Sequence, residues 1–374
     1  MDSPRHEATV ATLWLTGDVM TARGIDQILP HPGNPRLFES CMVSAVDYVT
    51  LAERATGPIP RGVGADYLWG DALAELEQQA PALRLINLET AVTTSDDAQP
   101  KGIHYRMHPD NVGVLEAAEV DGCVLANNHV LDWGPRGLLE TLGVLSRAGL
   151  HPVGAGHDLQ EARAPACFPV PGGRVRLVAL GVPSSGIHES WAATAERPGI
   201  HRLPGLDPDA IDALVADIAR PRVPGEVTVV SLHWGGNWGY DIPSEHRDLA
   251  HRLIDEAGVD IVWGHSSHHP LGIEVYRDRL ILYGCGDLIN DYEGISGHEG
   301  FRDDLVLLYF PTLELADGRL KRLTMVPMRL RHFRLNRATP EEAQWLCRRL
   351  TREGGGLGTR VRLDAHDRLV LEWQ

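Results

Sequence analysis

The stretch Leu125-Ala126-Asn127-Asn128-His129-Val130-Leu131-Asp132-Trp133-Gly134 places two amides, an imidazole and a carboxylate within one short turn of chain. It follows an apolar run, Gly122 to Ala126, and precedes a helix-like segment, so it reads as strand, polar turn, helix. Amide and carboxylate oxygens are metal ligands and an imidazole is a ligand or a proton carrier. Open α/β folds keep such groups at the carboxyl ends of their strands. Taken alone, the stretch reads equally well as a helix cap, since Asn and Asp are common cap residues. The same residue types recur, however, at other predicted strand ends: Asp18 after Val10 to Thr16, Glu89 after Leu83 to Ile86, His233 after Val227 to Leu232, and His265 with His268 after Val259 to Trp263. Any one of the 18 histidines has an ordinary structural explanation. Five strand ends carrying one chemistry do not, and carboxylate, amide and imidazole together suit a divalent transition ion such as zinc, manganese or iron.

Two further segments carry cationic groups. Arg23, a few residues beyond Asp18, is placed to face whatever that carboxylate binds. The loop Lys101-Gly102-Ile103-His104-Tyr105-Arg106-Met107-His108-Pro109 interleaves charges with tyrosine and methionine, which marks Lys101, Tyr105 and Arg106 as candidate contacts to an anionic substrate group. The competing reading is a solvated loop.

Those groups need a scaffold, and 374 residues, 43% hydrophobic and 23% charged, are enough for a large core. The formal net charge of -16 is spread along the chain, which argues against nucleic acid or an acidic membrane as a partner held by bulk charge. Five cysteines, Cys41, Cys123, Cys167, Cys285 and Cys347, form no C-x-x-C pair and read as reduced, buried thiols of a cytosolic protein. No basic segment followed by an apolar one opens the chain, and no apolar run approaches the ~20 residues of a spanning helix. A cytoplasmic protein without membrane insertion is therefore expected.

Strand patterns alternate with helical ones. Besides the strands named above, Val175 to Val182, a hairpin turning at Arg277-Asp278, Leu305 to Phe310 and Leu320 to Met328 read as β. Helices are expected over Phe38 to Ala55, Ala72 to Gln79, Asn111 to Glu119, Pro135 to Ala148, Ser244 to Ala257 and Pro340 to Arg352. The proline-rich stretch 31–70 reads as an insertion at the edge of the site. One domain over 9–330 is expected, with 331–374 packed on it as a helix and last hairpin that complete the sheet without adding site chemistry.

In order, the motifs G-D-V-M, N-L-E-T, A-N-N-H-V-L-D-W-G, S-L-H-W-G, G-H-S-S-H-H with G-I-E-V-Y, and G-C-G-D resemble the CapA family of poly-γ-glutamate capsule synthesis proteins, itself similar to the calcineurin-like metallophosphoesterases. The resemblance runs from about Thr12 to the last hairpin. It implies an α/β fold with a two-sheet β-sandwich flanked by helices (αββα) and one or two divalent metals at the strand ends. Carried over, it places Asp18 and His268 on one metal, Glu89 between two, and Asn128, His233 and His265 on the second. His129 becomes the general acid or oxyanion-stabilising group, oriented by Asp132. Three departures stand out: Asp18-Val19-Met20 lacks the usual histidine, Asn87-Leu88-Glu89 replaces the usual bridging aspartate, and G-H-S-S-H is longer than G-H-x-H, which leaves His268 and His269 as alternative ligands.

The function these readings imply is a metal-dependent hydrolase in which a metal-bound hydroxide attacks a phosphoester or amide-type bond of an anionic or γ-glutamyl substrate. A non-catalytic accessory of polymer synthesis and an iron-dependent oxidative enzyme are the rivals.

Overall fold

Strands here are built from runs in which both alternate faces are apolar, and that pattern requires cover on both sides of a sheet. In the first strand, β1 (Val10–Val19), Leu13 and Leu15 point one way and Trp14 the other, and all three are fully buried. The computed structural model describes residues 9–374 and shows how the two faces are covered.

The strands that matter for the site are β2 (Leu83–Leu88), β3 (Gly122–Val124), β4 (His151–Val153), β5 (Ala166–Val170), β6 (Gly173–Gly181), β7 (Glu226–His233), β8 (Ile261–His265), β9 (Ile273–Tyr276), β10 (Arg279–Leu282), β11 (Asp287–Ile289), β12 (Leu305–Glu314), β13 (Leu320–Arg331), β14 (Arg334–Arg337), β15 (Thr359–Leu363) and β16 (Leu369–Trp373). The first sheet runs β15-β16-β13-β12-β1-β2-β3-β4, with β11 beside β1 and β14 beside β13. The second runs β9-β10-β8-β7-β6-β5. Parallel pairing of β1 with β2, β2 with β3, β6 with β7 and β7 with β8 sends all of these carboxyl ends the same way within each sheet.

Three apolar layers fix the architecture. Leu13, Leu15, Leu85, Leu177, Ala179, Val229 and Trp263 fill the space between the sheets. The outer face of the first sheet, with Trp14, Ile86 and Leu88, packs against helices α1 (Ala45–Thr56), α2 (Ala72–Gln79) and α3 (Gly134–Arg147). The outer face of the second sheet, with Val178, Leu180, Val230 and Leu232, packs against α4 (Pro208–Ile218) and α5 (Ser244–Asp255). The result is the expected two-sheet sandwich between helices. Helix α6 (Pro340–Gly354), opened by a Thr339/Glu342 capping box, adds Leu346 and Leu350 to the inter-sheet layer.

Most expected elements form, with instructive exceptions. The helix expected from Phe38 begins only at Ala45: the Ser44 side chain caps it, and residues 37–43 close a turn through Leu37 N–H donating to the Val43 carbonyl. The helix expected over Asn111 to Glu119 is reduced to Gly113–Ala117 after a 3₁₀ turn started by Pro109. Strand β5 and helix α4 were not anticipated, although Asp207-Pro208 is a recognisable cap and N1 pair. Cys123, Cys285 and Cys347 are buried free thiols as expected, but Cys41 and Cys167 are exposed, because one lies in the turn before α1 and the other points outward from the edge strand β5.

Leu85→Ala should lower the free energy of unfolding by about 2–5 kcal/mol, since it opens a cavity between the sheets. Leu139→Ala, on the exposed side of α3, should cost less than about 1 kcal/mol. Equal urea midpoints for the two variants would show that Leu85 does not face the inter-sheet layer.

Candidate metal centre

Asp18 stands where β1 must approach the chain entering β11: its amide donates to the Gly286 carbonyl at 2.9 Å and its Cα pairs with Asp287 and with Asn87. Gly17 makes that approach possible, because a Cβ there would lie 1.9 Å from the Gly286 oxygen. Trp263 Nε1 donates across the sandwich to the Thr16 carbonyl at 2.8 Å, so β8 of the second sheet is fastened to β1 of the first just before both reach the site.

Beyond that fastening the two sheets contribute opposite halves of one donor set. The first supplies Asp18, Asn87, Glu89, the turn Asn127-Asn128-His129, and Asp287. The second supplies His233 and His265, which are direct partners in the β7/β8 register with ring centroids 6.3 Å apart. His265 Nδ1 lies 3.1 Å from Asp18 Oδ1, and the Ser266 amide donates to Asp18 Oδ2 at 3.1 Å from a residue held at φ 87°. Asn87 Nδ2 donates to Asp18 Oδ1 at 2.7 Å. Glu89 Oε1 sits 3.7 Å from His233 Nε2 and 3.8 Å from His129 Nε2, while Asn128 Oδ1 is 3.0 Å from His233 Nε2. His268 pairs through Nδ1 with Asp287 at 2.8 Å. His269 instead turns away into an aromatic group: its Nε2 accepts the Gly239 N–H at 3.2 Å and its ring packs on Tyr240 and Phe301.

Burial dominates the electrostatics. It lifts the Glu89 carboxyl well above the usual range, and the charges of Asp18 and Asp287 push in the same direction. Burial alone would raise Asp18 too, but the close approach of His265 and then the charge of His233 hold it well below the ordinary value. His233 is lowered to about 3 by burial, so its ring is neutral and free to act as a ligand. Asp287 outweighs burial at His268 and raises it.

Histidine 129 has its own support. Nδ1 lies 2.6 Å from Asp132 Oδ2, and burial lowers the imidazole to about 4. The ring stacks on Tyr105 at 4.0 Å, whose amide donates to the same Asp132 oxygen at 2.6 Å. Lys101 Nζ donates to Asp132 Oδ1 at 2.7 Å and to the Asn128 carbonyl. The alternative reading as a helix cap is not realised, since the helix begins at Gly134 without a side-chain cap; Asn127 instead closes the turn itself, its Oδ1 accepting from the amides of His129 and Val130.

Arg23 and Arg106, expected as substrate contacts, have internal duties instead. Arg23 is buried at φ 50° in a salt bridge with Asp291, 3.3 Å from Glu39, with its guanidinium over the Tyr48 ring. It locks the insertion to the site. Arg106 donates to the carbonyls of Ser95 at 2.8 Å and Asn34 at 2.9 Å and stacks on Trp133 at 3.8 Å. Interleaved tyrosine and methionine thus marked a buried loop rather than a substrate surface. Lys101 is committed to the Asn128–Asp132 turn but keeps its side chain 24% exposed, and Tyr105 serves as the platform under His129. Sequence reasoning did not assign Asp287, Asn127 or Asp291; the G-C-G-D and N-D pairs that contain the two aspartates were the available signal.

Does this donor set fit a metal? Among the described residues no three His, Cys, Asp or Glu side chains stand in a ready-made coordination shell. The fit rests on unpartnered atoms: Glu89 Oε2 and His265 Nε2 are buried without a hydrogen-bond partner, and His265 Nδ1 has only the Asp18 carboxylate, 3.1 Å away. Buried polar atoms are seldom left so, and converging carboxylates and imidazoles are what a divalent cation satisfies.

Residues 12–292 match the model of the bacterial capsule synthesis protein PGA_cap. The chain belongs to that family. A probable polyglutamine synthesis accessory protein of Mycobacterium tuberculosis is 48% identical over 94% of this chain and 93% of its own length. The PGA biosynthesis protein CapA of Bacillus subtilis is 28% identical over 78% of this chain and 66% of its own length. Among solved structures, a phosphatase from Mycoplasma pneumoniae aligns with 90% of this chain and 97% of its own at 11% identity, with a TM-score of 0.46. The matched range of this PGA_cap protein includes Asp18, Glu89, Asn128, His233, His265, His268 and Asp287, the residues that meet at the seam.

Arg23→Met should cost about 3–5 kcal/mol, because it strands two buried carboxylates, Glu39 and Asp291. Chemical denaturation reads this directly. A midpoint equal to that of the unchanged protein would mean that Arg23 does not fasten the insertion to the site.

Proposed function

We propose that this PGA_cap protein is a metal-dependent hydrolase that acts in capsule or polyglutamate synthesis and cleaves a phosphoester or amide-type bond, γ-glutamyl included, of an anionic substrate. The observation that carries this reading is the meeting of three buried carboxylates, Asp18, Glu89 and Asp287, with the buried imidazoles of His233, His265 and His268, the Nε2 of His265 and the Oε2 of Glu89 being left without a hydrogen-bond partner. Asp18, Glu89, Asn128, His233, His265 and His268 would hold one or two divalent ions, manganese, iron or zinc. When bound, the metal supplies Lewis acidity at the electrophile and lowers the pKa of water.

The chain's own residues do the rest. Asp132 accepts from His129 Nδ1, which leaves the lone pair of the neutral ring on Nε2, the nitrogen that faces Glu89. Nε2 therefore takes up a proton and returns it to the departing oxygen or nitrogen, and Asp132 stabilises the imidazolium in between. Tyr105 and Lys101 hold that geometry from the ring face and from the far side of Asp132.

A non-catalytic accessory role is the second reading, favoured by the names of the Mycobacterium tuberculosis relatives. The two readings part on turnover. Protein purified without added metal should carry about one or two equivalents of a transition metal and should turn over a p-nitrophenyl phosphodiester or a γ-glutamyl anilide. His233→Ala should lose most of that metal. His129→Ala should keep it and lose about 10²–10⁴-fold in kcat. Equal metal in His233→Ala and the unchanged protein would remove the ligand assignment, and full metal without turnover of either substrate class would favour the accessory role.

A further inference from the structure

The parallel register of β1 and β2 sets Asn87 directly beside Asp18, and both side chains, like that of Asn127 beyond β3, are fully buried. These three residues form a chain of hydrogen bonds across the site. Asn87 Nδ2 donates to Asp18 Oδ1 at 2.7 Å, and Asn127 Nδ2 donates to Asn87 Oδ1 at 3.1 Å and to the Leu88 carbonyl at 2.9 Å. Asn127 Oδ1 accepts the amides of His129 and Val130, each at 3.1 Å. One end of the chain is thus a carboxylate of the donor set, and the other is the backbone that carries His129.

A side-chain amide can be turned over, and its hydrogen-bond partners decide which way it lies. Here both ends of the chain decide. A carboxylate has no hydrogen to give, so Asn87 must present Nδ2 to Asp18 and its oxygen to Asn127. Backbone N–H groups can only donate, so Asn127 must present its oxygen to His129 and Val130 and its Nδ2 to Asn87. The two assignments, made from opposite ends, agree at the Asn87–Asn127 bond. Turning either amide over would set donor against donor and acceptor against acceptor in a fully buried place, where nothing replaces the lost bonds. The chain therefore runs one way only, from the turn to Asp18.

We propose that Asn87 and Asn127 are positioning residues that tie the Asp18 carboxylate to the backbone of the His129 turn, so that the ligand half and the proton-carrying half of the site are set by one device. This deepens the hydrolase reading and rests on it for the ion at Asp18. Hydrogen bonds in a one-way chain polarise one another, so a cation that draws charge from Asp18 weakens each link in succession and is registered at the His129 turn. If Asn127 did no more than close its turn, aspartate would serve as well, since either side chain accepts from nearby backbone amides. Aspartate lacks only the Nδ2 hydrogens, which are the ones that reach Asn87 and Leu88.

The test measures Co(II) binding, by visible absorption, to the full chain, to Asn127→Asp, to Asn87→Ala and to the double variant, with circular dichroism and urea midpoints to check the fold. Each single variant should bind Co(II) about 10–100-fold more weakly, as loss of a group that orients a metal ligand does. For Asn127→Asp this runs against simple charge, because an added carboxylate would on its own draw the cation in. The double variant should lose no more than about threefold beyond the weaker single variant, because both changes cut one chain. In the metal-free protein, the nitrogen-15-labelled backbone amides of His129 and Val130 should shift in Asn87→Ala, although Asn87 bonds to neither. Should Asn87→Ala not fold, Asn127→Asp, which keeps both acceptor contacts of the turn, decides alone. The proposal is overturned by Co(II) binding in Asn127→Asp equal to that of the unchanged protein, by losses that multiply in the double variant, or by amides of His129 and Val130 that Asn87→Ala leaves unmoved. An unchanged protein that binds no Co(II), with those amides still responding to Asn87→Ala, would overturn the hydrolase reading and uphold the chain, which keeps the two failures apart.

Discussion

Three carboxylates buried side by side repel one another, and each also loses its hydration. Asp18, Glu89 and Asp287 can share the seam between the sheets only because positive or donating groups are brought to them from every direction. Asn87 and the Ser266 amide serve Asp18, His268 and Asn290 serve Asp287, and Glu89 is left with its charge suppressed. Much of the surrounding fold follows from this constraint. The Trp263–Thr16 hydrogen bond sets the two sheets against each other, Gly17 admits β11 to the side of β1, and Ser266 accepts an unfavourable φ so that its amide can reach a carboxylate oxygen.

The strand ends were legible because two-sided burial produces long apolar runs, and a polar residue that ends such a run stands out. Asp18, Glu89, Asn128, His233, His265 and His268 were each visible in this way, and the structure gathers them at one seam. The order of strands was not legible: nothing local to Asp287 announces that it lies against β1, since that pairing is set by shape and by a glycine far away in the chain. Charge was the other blind spot. Arg23 and Arg106 look like substrate contacts in sequence, yet their partners Glu39, Asp291, Ser95 and Asn34 are scattered over separate loops.

The site is supported at two depths. Asn127, Asp132, Tyr105 and Lys101 hold the imidazole of His129 by direct contacts, whereas the half of the set around His265 leaves His265 Nε2 and Glu89 Oε2 without a hydrogen bond. One half is thus fixed by protein contacts alone, whereas the other includes buried atoms that the protein itself leaves without a hydrogen bond.

The inter-sheet seam also has a meaning during synthesis. Asp18 and the Ser266 amide that serves it are 248 residues apart in the chain. While the first half of the protein emerges from the ribosome, Asp18 and Glu89 stand at the ends of strands whose partners β7, β8 and β11 do not yet exist, and their carboxylates are still hydrated. Only when β8 and β11 have been made can the seam close. The strands that close the seam are thus made long after the carboxylates they cover, and the burial of Asp18 and Glu89 is a late event in the building of the fold.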